Sequence, residues 1–178
     1  MLATTASGKE TASSRRASTS AIHRPNWNVP RWPGRRIQTT SNGTAGINAA
    51  HGADRIYAGD LVTAEGTARA ILRQAPAVVT LVAIGRSNGT IRADEDELCA
   101  LYLRARLEGR QPDVAAVRTL LATIPPPPNP KLVAAGAYDP KDREVAVEVD
   151  AIAFAISVRR EAGLLIAEAE RNDLQPAS

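Results

Sequence analysis

An α/β domain with a mainly parallel sheet and helical crossovers is the fold class this sequence predicts, and three observations predict it. Short extended segments alternate with helical ones across residues 36–84, the order that joins parallel strands through helices. Val78, Val79, Leu81 and Val82 form a nearly continuous apolar run, suited to a strand covered on both faces. Near the other end, Phe154, Ile156 and Val158 alternate ahead of Glu161-Ala162-Gly163 and Leu164 to Ala167, which reads as a hairpin in a small C-terminal α+β unit.

The elements follow in chain order. Residues 1–35 are rich in Ser, Thr, Pro and Arg, with Pro25, Pro30 and Pro33 breaking any helix and no apolar periodicity to bury. They are expected to be a disordered basic leader. The folded domain is expected over residues 36–171, with 172–178 as a flexible tail. Arg36 to Thr40 reads as a strand, Ser41 to Thr44 as a loop and Ala45 to His51 as a helix. Arg55 to Ala58 reads as a second strand. Thr63 to Gln74 has helical spacing and closes before Pro76, and Ala77 to Ile84 makes the third strand. After a polar loop, Asp94 to Glu108 reads as a helix with Leu98, Leu101, Tyr102 and Leu107 on its apolar side, followed by another at Asp113 to Ile124. Pro125 to Pro128 form a stiff extended connection. Lys131 to Ala137 and Lys141 to Val149 can turn as short helices before the terminal hairpin. No internal repeat is apparent.

Composition narrows the function classes. A chain of 178 residues that is 44% hydrophobic can bury an ordinary core as one domain. Its single cysteine, Cys99, cannot form an internal bridge, which fits a reducing cytoplasm. The most apolar stretch, Ala77 to Gly85, is about half of what a bilayer crossing needs, so a soluble protein without a membrane role is expected. The net charge of +3 is a property of the leader. Residues 1–36 hold seven Lys or Arg against Glu10, while the remainder holds 15 against 18 acids. The leader lacks the repeated basic and aromatic spacing of a nucleic-acid binder, Trp27 and Trp32 being its only large aromatics.

Two stretches could carry chemistry. Ser41-Asn42-Gly43-Thr44 lies between a strand and a helix in this reading, where free amides and the positive helix end attract an anion. Gly43 permits close backbone approach, and the Ser41 and Thr44 hydroxyls can donate to phosphate oxygens. An Asn-Gly turn ahead of a capped helix accounts for the same residues without a ligand. Asp94-Glu95-Asp96-Glu97 concentrates four carboxylates; one or two with a substrate phosphate would suit Mg²⁺. Here too a plainer account stands: Asp94 as an N-cap, with Glu97 completing its box. Cys99 follows one turn beyond Glu95 and could face the site or the core. His23 and His51 have no spacing that suggests a Cys-His pair.

In their joint order, Thr40 to Thr44, then Gly59, then Gly85 and Gly89, then Glu95, Asp96, Cys99 and Ala100, these segments resemble the 2-phosphosulfolactate phosphatase family. That family carries a Thr-Ser-Asn-Gly-Thr loop, a Gly-rich turn and a Glu-Asp-x-x-Cys-Ala helix start. Downstream, Gly136, Asp139, Asp142 and Asp150 also look family-like. The resemblance implies a Mg²⁺-dependent phosphatase hydrolysing 2-phosphosulfolactate, a small phosphorylated sulfonate, in a step of the coenzyme M type. It also implies site residues: Glu95, Asp96 and Cys99 catalytic; Glu95 and Asp96 on the metal; Thr40, Ser41, Asn42, Gly43, Thr44 and Arg86 on the substrate. Arg92 is a second candidate for the substrate's sulfonate or carboxylate. Attack by a carboxylate, through a phosphoaspartate, and direct attack by water are both open. Family members also carry an Asp-Val-Leu-Arg-Ala-Ser/Thr-Thr strand end and an Asp-Leu-Gly-Asn-Ser-Pro segment that have no full counterpart here, and Leu101 replaces a glycine that often follows Cys-Ala. The expectation is therefore a sheet truncated on its N-terminal side, in an active phosphatase or in a noncatalytic relative that binds anions, with an exposed sheet edge that favours homo-oligomers.

Overall fold

The structure, a computed structural model, describes residues 2–6, 42–86, 91–125 and 140–171. In chain order the elements are β1 (Leu2–Ala6), α1 (Gly43–Ala49), β2 (Arg55–Ala58), α2 (Ala64–Arg73), β3 (Val78–Val82), α3 (Asp94–Leu107), α4 (Val114–Thr123), α5 (Pro140–Ala146), β4 (Phe154–Glu161) and β5 (Leu164–Arg171). The five strands make one sheet in the order β3-β1-β2-β4-β5.

Every neighbouring pair in this sheet is antiparallel, which corrects the expected mainly parallel sheet. β2 and β3, joined through α2, do run in the same direction. They never pair, because β1 lies between them and antiparallel to both, with Leu2 opposite Ala58 on one side and Val82 on the other. Alternation of strands with helices sets the direction of successive strands but not their adjacency. A strand from elsewhere in the chain can separate them. That strand, Leu2–Ala6, lies within the span expected as a leader; residues 7–35, and the strand expected at Arg36 to Thr40, lie outside the described residues.

The terminal hairpin forms where it was expected, but it joins the main sheet. β4 and β5 pair along their full length, from Phe154 opposite Arg171 to Glu161 opposite Leu164. β4 also pairs with β2, Ile56 facing Val158 and Tyr57 facing Ser157. The hairpin is thus part of the main sheet and not a separate unit. Its turn uses Ala162 and Gly163, both at positive φ (48° and 80°), the geometry a tight two-residue connection demands.

Helices cover one face of the sheet. α2 is built from small residues on its inner side, and Ala64, Thr67, Ala68, Ala70 and Ile71 are buried. Its Gly66 lies against the Phe154 backbone so closely that a Cβ there would sit 2.4 Å from the carbonyl oxygen. Ala70 and Ile71 close over Tyr57 and Ala155, with Val79 and Leu81 at the margin. A larger cluster joins Leu61, Ala64 and Ala68 to Cys99, Tyr102 and Leu103 of α3, to Val117 and Leu121 of α4, and to Val149. Within α3, Leu103 is fully buried and Leu101 is 62% exposed, so Leu103 takes the core position expected of Leu101. β3 is not covered on both faces: Val78, Thr80 and Val82 are exposed while Val79 and Leu81 are half-buried.

Helix ends are fixed by side chains where the sequence supplies them. Asp113 caps α4, accepting from the amides of Ala115 at 2.8 Å and Ala116 at 3.2 Å. At the other end of α4, the Arg143 guanidinium donates to the carbonyls of Leu121 (3.2 Å) and Ile124 (2.5 Å), satisfying acceptors at the negative helix end. α3 departs from expectation: its N-cap is Ala93, and Asp94 is the first helical residue. The capping box of Asp94 with Glu97 does not form. The segment Lys131 to Ala137 lies outside the described residues.

Candidate functional site

The first part of the site is the loop entering α1. Thr40 and Ser41 lie outside the described residues; Asn42 is the N-cap residue and Gly43 and Thr44 open the helix. The Asn42 carbonyl accepts the Gly46 amide at 2.9 Å. The Asn42 side chain forms no capping bond to the helix, so the plain reading of the motif as a side-chain-capped helix start is not what this backbone uses. Gly46 brings α1 against the end of β3, where a Cβ at that position would lie 2.7 Å from Ile84 Cδ1. That approach is what connects the loop to the second part of the site.

Gly85, directly after Ile84, has φ of +71°, and its amide donates to Asp96 Oδ2 at 2.9 Å. A Cβ at Gly85 would lie 2.4 Å from the Ile91 carbonyl oxygen, so only glycine fits here. Arg86 and Ile91 then exchange backbone hydrogen bonds of 2.8 and 3.2 Å. This closes the loop that leads into α3. Its cations meet the acidic helix start: Arg86 pairs with Glu95 at 2.8 Å, and Arg92 pairs with Glu97 through both carboxylate oxygens. Three of the four carboxylates of Asp94-Glu95-Asp96-Glu97 are therefore engaged by the loop before them. Asp94 is exposed.

Electrostatics distinguish these acids. Burial pushes the Glu95 carboxyl upward, but the Arg86 hydrogen bond and a bond from its own backbone amide outweigh it, and the group titrates below its ordinary value. Glu95 Oε2 is buried without a hydrogen-bond partner among the described residues. An orphaned carboxylate oxygen is the feature of this helix start that suits a cation. Among the described residues no three His, Cys, Asp or Glu side chains converge on one point, so an ion at Glu95 and Asp96 would depend on water and substrate for its other ligands, as Mg²⁺ commonly does.

Cys99, one turn further along α3, is 4% exposed and packs in the core cluster. Burial first, with the nearby carboxylates of Asp60, Asp96 and Asp150 adding to it, pushes its thiol up to about 12. At neutral pH it is a protonated thiol and a poor nucleophile.

A cluster that sequence reasoning did not assemble lies beside Cys99. Asp150, at a φ of +58°, accepts from the Glu65 amide at 2.7 Å and from the Tyr102 hydroxyl at 2.5 Å. Its carboxylate thus serves the first turn of α2 from 85 residues away. Arg106 pairs with Glu65 and stands 3.9 Å from Asp150, and Arg69 closes on Glu65 at 2.6 Å. On the same helix end, Asp60 accepts from the Thr63 amide at 2.7 Å and its hydroxyl at 3.0 Å. No local motif signals this cluster. Asp150 stood out only as one of several family-like acids, and its partners come from two helices distant in sequence.

The chain's relation to known proteins agrees with the order of these elements. The family model described as 2-phosphosulpholactate phosphatase matches residues 32–128, more than half of the chain, spanning the loop, β3 and the acidic start of α3. No curated protein and no solved structure matches the chain.

Proposed function

The chain belongs to the 2-phosphosulpholactate phosphatase family, and from that premise we propose that it hydrolyses a small phosphate monoester that carries a second acidic group, 2-phosphosulfolactate being the reading the family supports. The observation that carries the proposal is the packing of Gly46 on Ile84, which joins the Asn42-Gly43-Thr44 loop to the strand end whose next residue, Gly85, bonds Asp96. Residues that could take a phosphoryl group and residues that could hold a cation thus share one end of β3.

In this reading, Thr40, Ser41, Asn42, Gly43 and Thr44 supply amide and hydroxyl donors to the phosphate, and Arg86 exchanges part of its bond to Glu95 for the substrate's sulfonate or carboxylate. Glu95, through Oε2, and Asp96 would hold Mg²⁺, which when bound supplies positive charge against the phosphoryl oxygens. Donors arranged before the reaction stabilise charge that develops at the transferring group. Water adds to phosphorus, the ester oxygen leaves as an alcohol after taking a proton, and inorganic phosphate is released. Cys99 contributes as a packed thiol that sets the position of α3, consistent with its raised pKa. A cytoplasmic enzyme is the fitting context; no helix among the described residues is long and apolar enough to cross a membrane.

The test is phosphate release from 2-phosphosulfolactate with and without Mg²⁺. Turnover is expected to require the metal and to fall by about 10²-fold or more in Glu95→Gln, while Cys99→Ser retains the larger share. A folded sample with no turnover under either condition would overturn the hydrolase reading and leave an anion-binding relative of the family.

A further inference from the structure

The two edges of the sheet differ in charge. β5 ends the sheet on one side and carries Glu168, Glu170 and Arg171. β3 ends it on the other, and from Ala75 through Ile84 no side chain ionises. Its outer edge pairs with no strand among the described residues, and Val78 is 58% and Val82 37% exposed. Edge strands of soluble proteins are commonly protected by charge, proline or a bulge within the strand. β3 has none of these: Pro76 precedes it, and its five residues, Val-Val-Thr-Leu-Val, pair with β1 without interruption.

We propose that β3 pairs with β3 of a second copy of this chain, antiparallel about a twofold axis at Thr80, so that two five-stranded sheets become one. A twofold axis sets residue i of one copy against residue j of the other, so a charge on the axis meets its own copy and two like charges that flank it meet each other. Centred on Ala169, β5 would set Glu168 against Glu170. β3 meets only uncharged residues. About Thr80, Val78 faces Val82 and Val79 faces Leu81, and each pair joins residues from the same face of the sheet, as antiparallel pairing requires. Val78 and Val82, the exposed valines, become cross-strand partners, and such β-branched pairs are a unit of sheet stabilisation. The occupant is thus a copy whose edge has the same length, pattern and lack of charge.

The full chain tests this by light scattering after size exclusion and by sedimentation. The expected species has twice the 18.8 kDa chain mass. Thr80→Lys puts two ammonium groups together on the axis and is expected to give a monomer with unchanged far-UV circular dichroism, whereas Glu168→Lys on the opposite edge leaves the dimer intact. Should Thr80→Lys fail to fold, Thr80→Cys decides the matter. Across the axis the two Cα atoms would stand about 4.5–5.5 Å apart, within disulfide reach, so mild oxidation should link the chains through position 80 while buried Cys99 stays free. A monomeric parent chain, an open-ended series of larger species, a folded Thr80→Lys dimer, or a folded Thr80→Cys variant that forms no cross-link would each overturn the proposal.

Discussion

At the scale of single residues, Asp150 ties the first turn of α2 to the middle of α3. Its carboxylate takes the Glu65 amide and the Tyr102 hydroxyl while its own amide donates to the Leu61 carbonyl at 2.9 Å. Burial raises its pKa, against the opposing effects of the Tyr102 bond and of Arg106. Since the folded value stands above the ordinary 3.8, the native state holds this proton longer than the unfolded chain does. The contribution of Asp150 to stability therefore declines as pH rises from about 3.8 through the raised value. Tyr102→Phe removes one of the opposing effects, and the decline should steepen. At neutral pH the variant is expected to lose about 1–3 kcal/mol, the cost of leaving a buried acceptor short of a donor, and urea unfolding at several pH values would measure both effects. An equal loss at every pH would disprove the linkage. Residues of the local motifs, Asn42 to Thr44 and Glu95 to Cys99, are legible in the sequence because each lies in a short run with its own spacing. Asp150 with Tyr102 and Glu65 is not, because hydrogen bonds between residues 48 and 85 positions apart leave no periodic trace.

At the scale of elements, the place of an element is more legible than its pairing: β2 lies at its expected limits, Arg55–Ala58, while its pairing with β1 and β4 is not foreseen. α2, α3 and α4 lie within a residue or two of their expected limits because apolar spacing, Pro76 and the Asp113 cap act locally. The contact of α2 with β4 is another matter, since it depends on one missing side chain. Gly66→Ala would gain about 1 kcal/mol in helix propensity, yet the added methyl meets the Phe154 carbonyl oxygen and nitrogen at 2.4 and 2.8 Å. Backbone atoms paired into a sheet cannot yield as a side-chain tip can. The net effect expected is a loss of about 1–3 kcal/mol, in the range of overpacked cores, seen as a lower urea midpoint with an unchanged slope. A stabilised Gly66→Ala protein would mean that α2 can move off the sheet at little cost.

For the whole molecule, the decisive element is the one that sequence patterning missed. Leu-Ala-Thr-Thr-Ala is too short and too mixed to declare itself as a strand, and residues 7–35 beyond it are rich in Ser, Thr, Arg and Pro. In the fold it is the third member of a ladder that holds β2 and β3 together. Removing residues 2–6 leaves those strands without a common partner, and the expected result is loss of a cooperative thermal transition in circular dichroism, or its shift well below that of the full chain. An unchanged transition would show the strand to be dispensable. The same placement bears on how the protein is made. During synthesis β1 is complete long before the ribosome has added Val78 to Val82, and its first pairing, with Arg55 to Ala58, uses only one of its two sides. At about 5–20 residues per second, the interval to β3 lasts seconds, during which the nascent strand's open side is available to chaperones, and the sheet is complete only after β4 and β5 have followed.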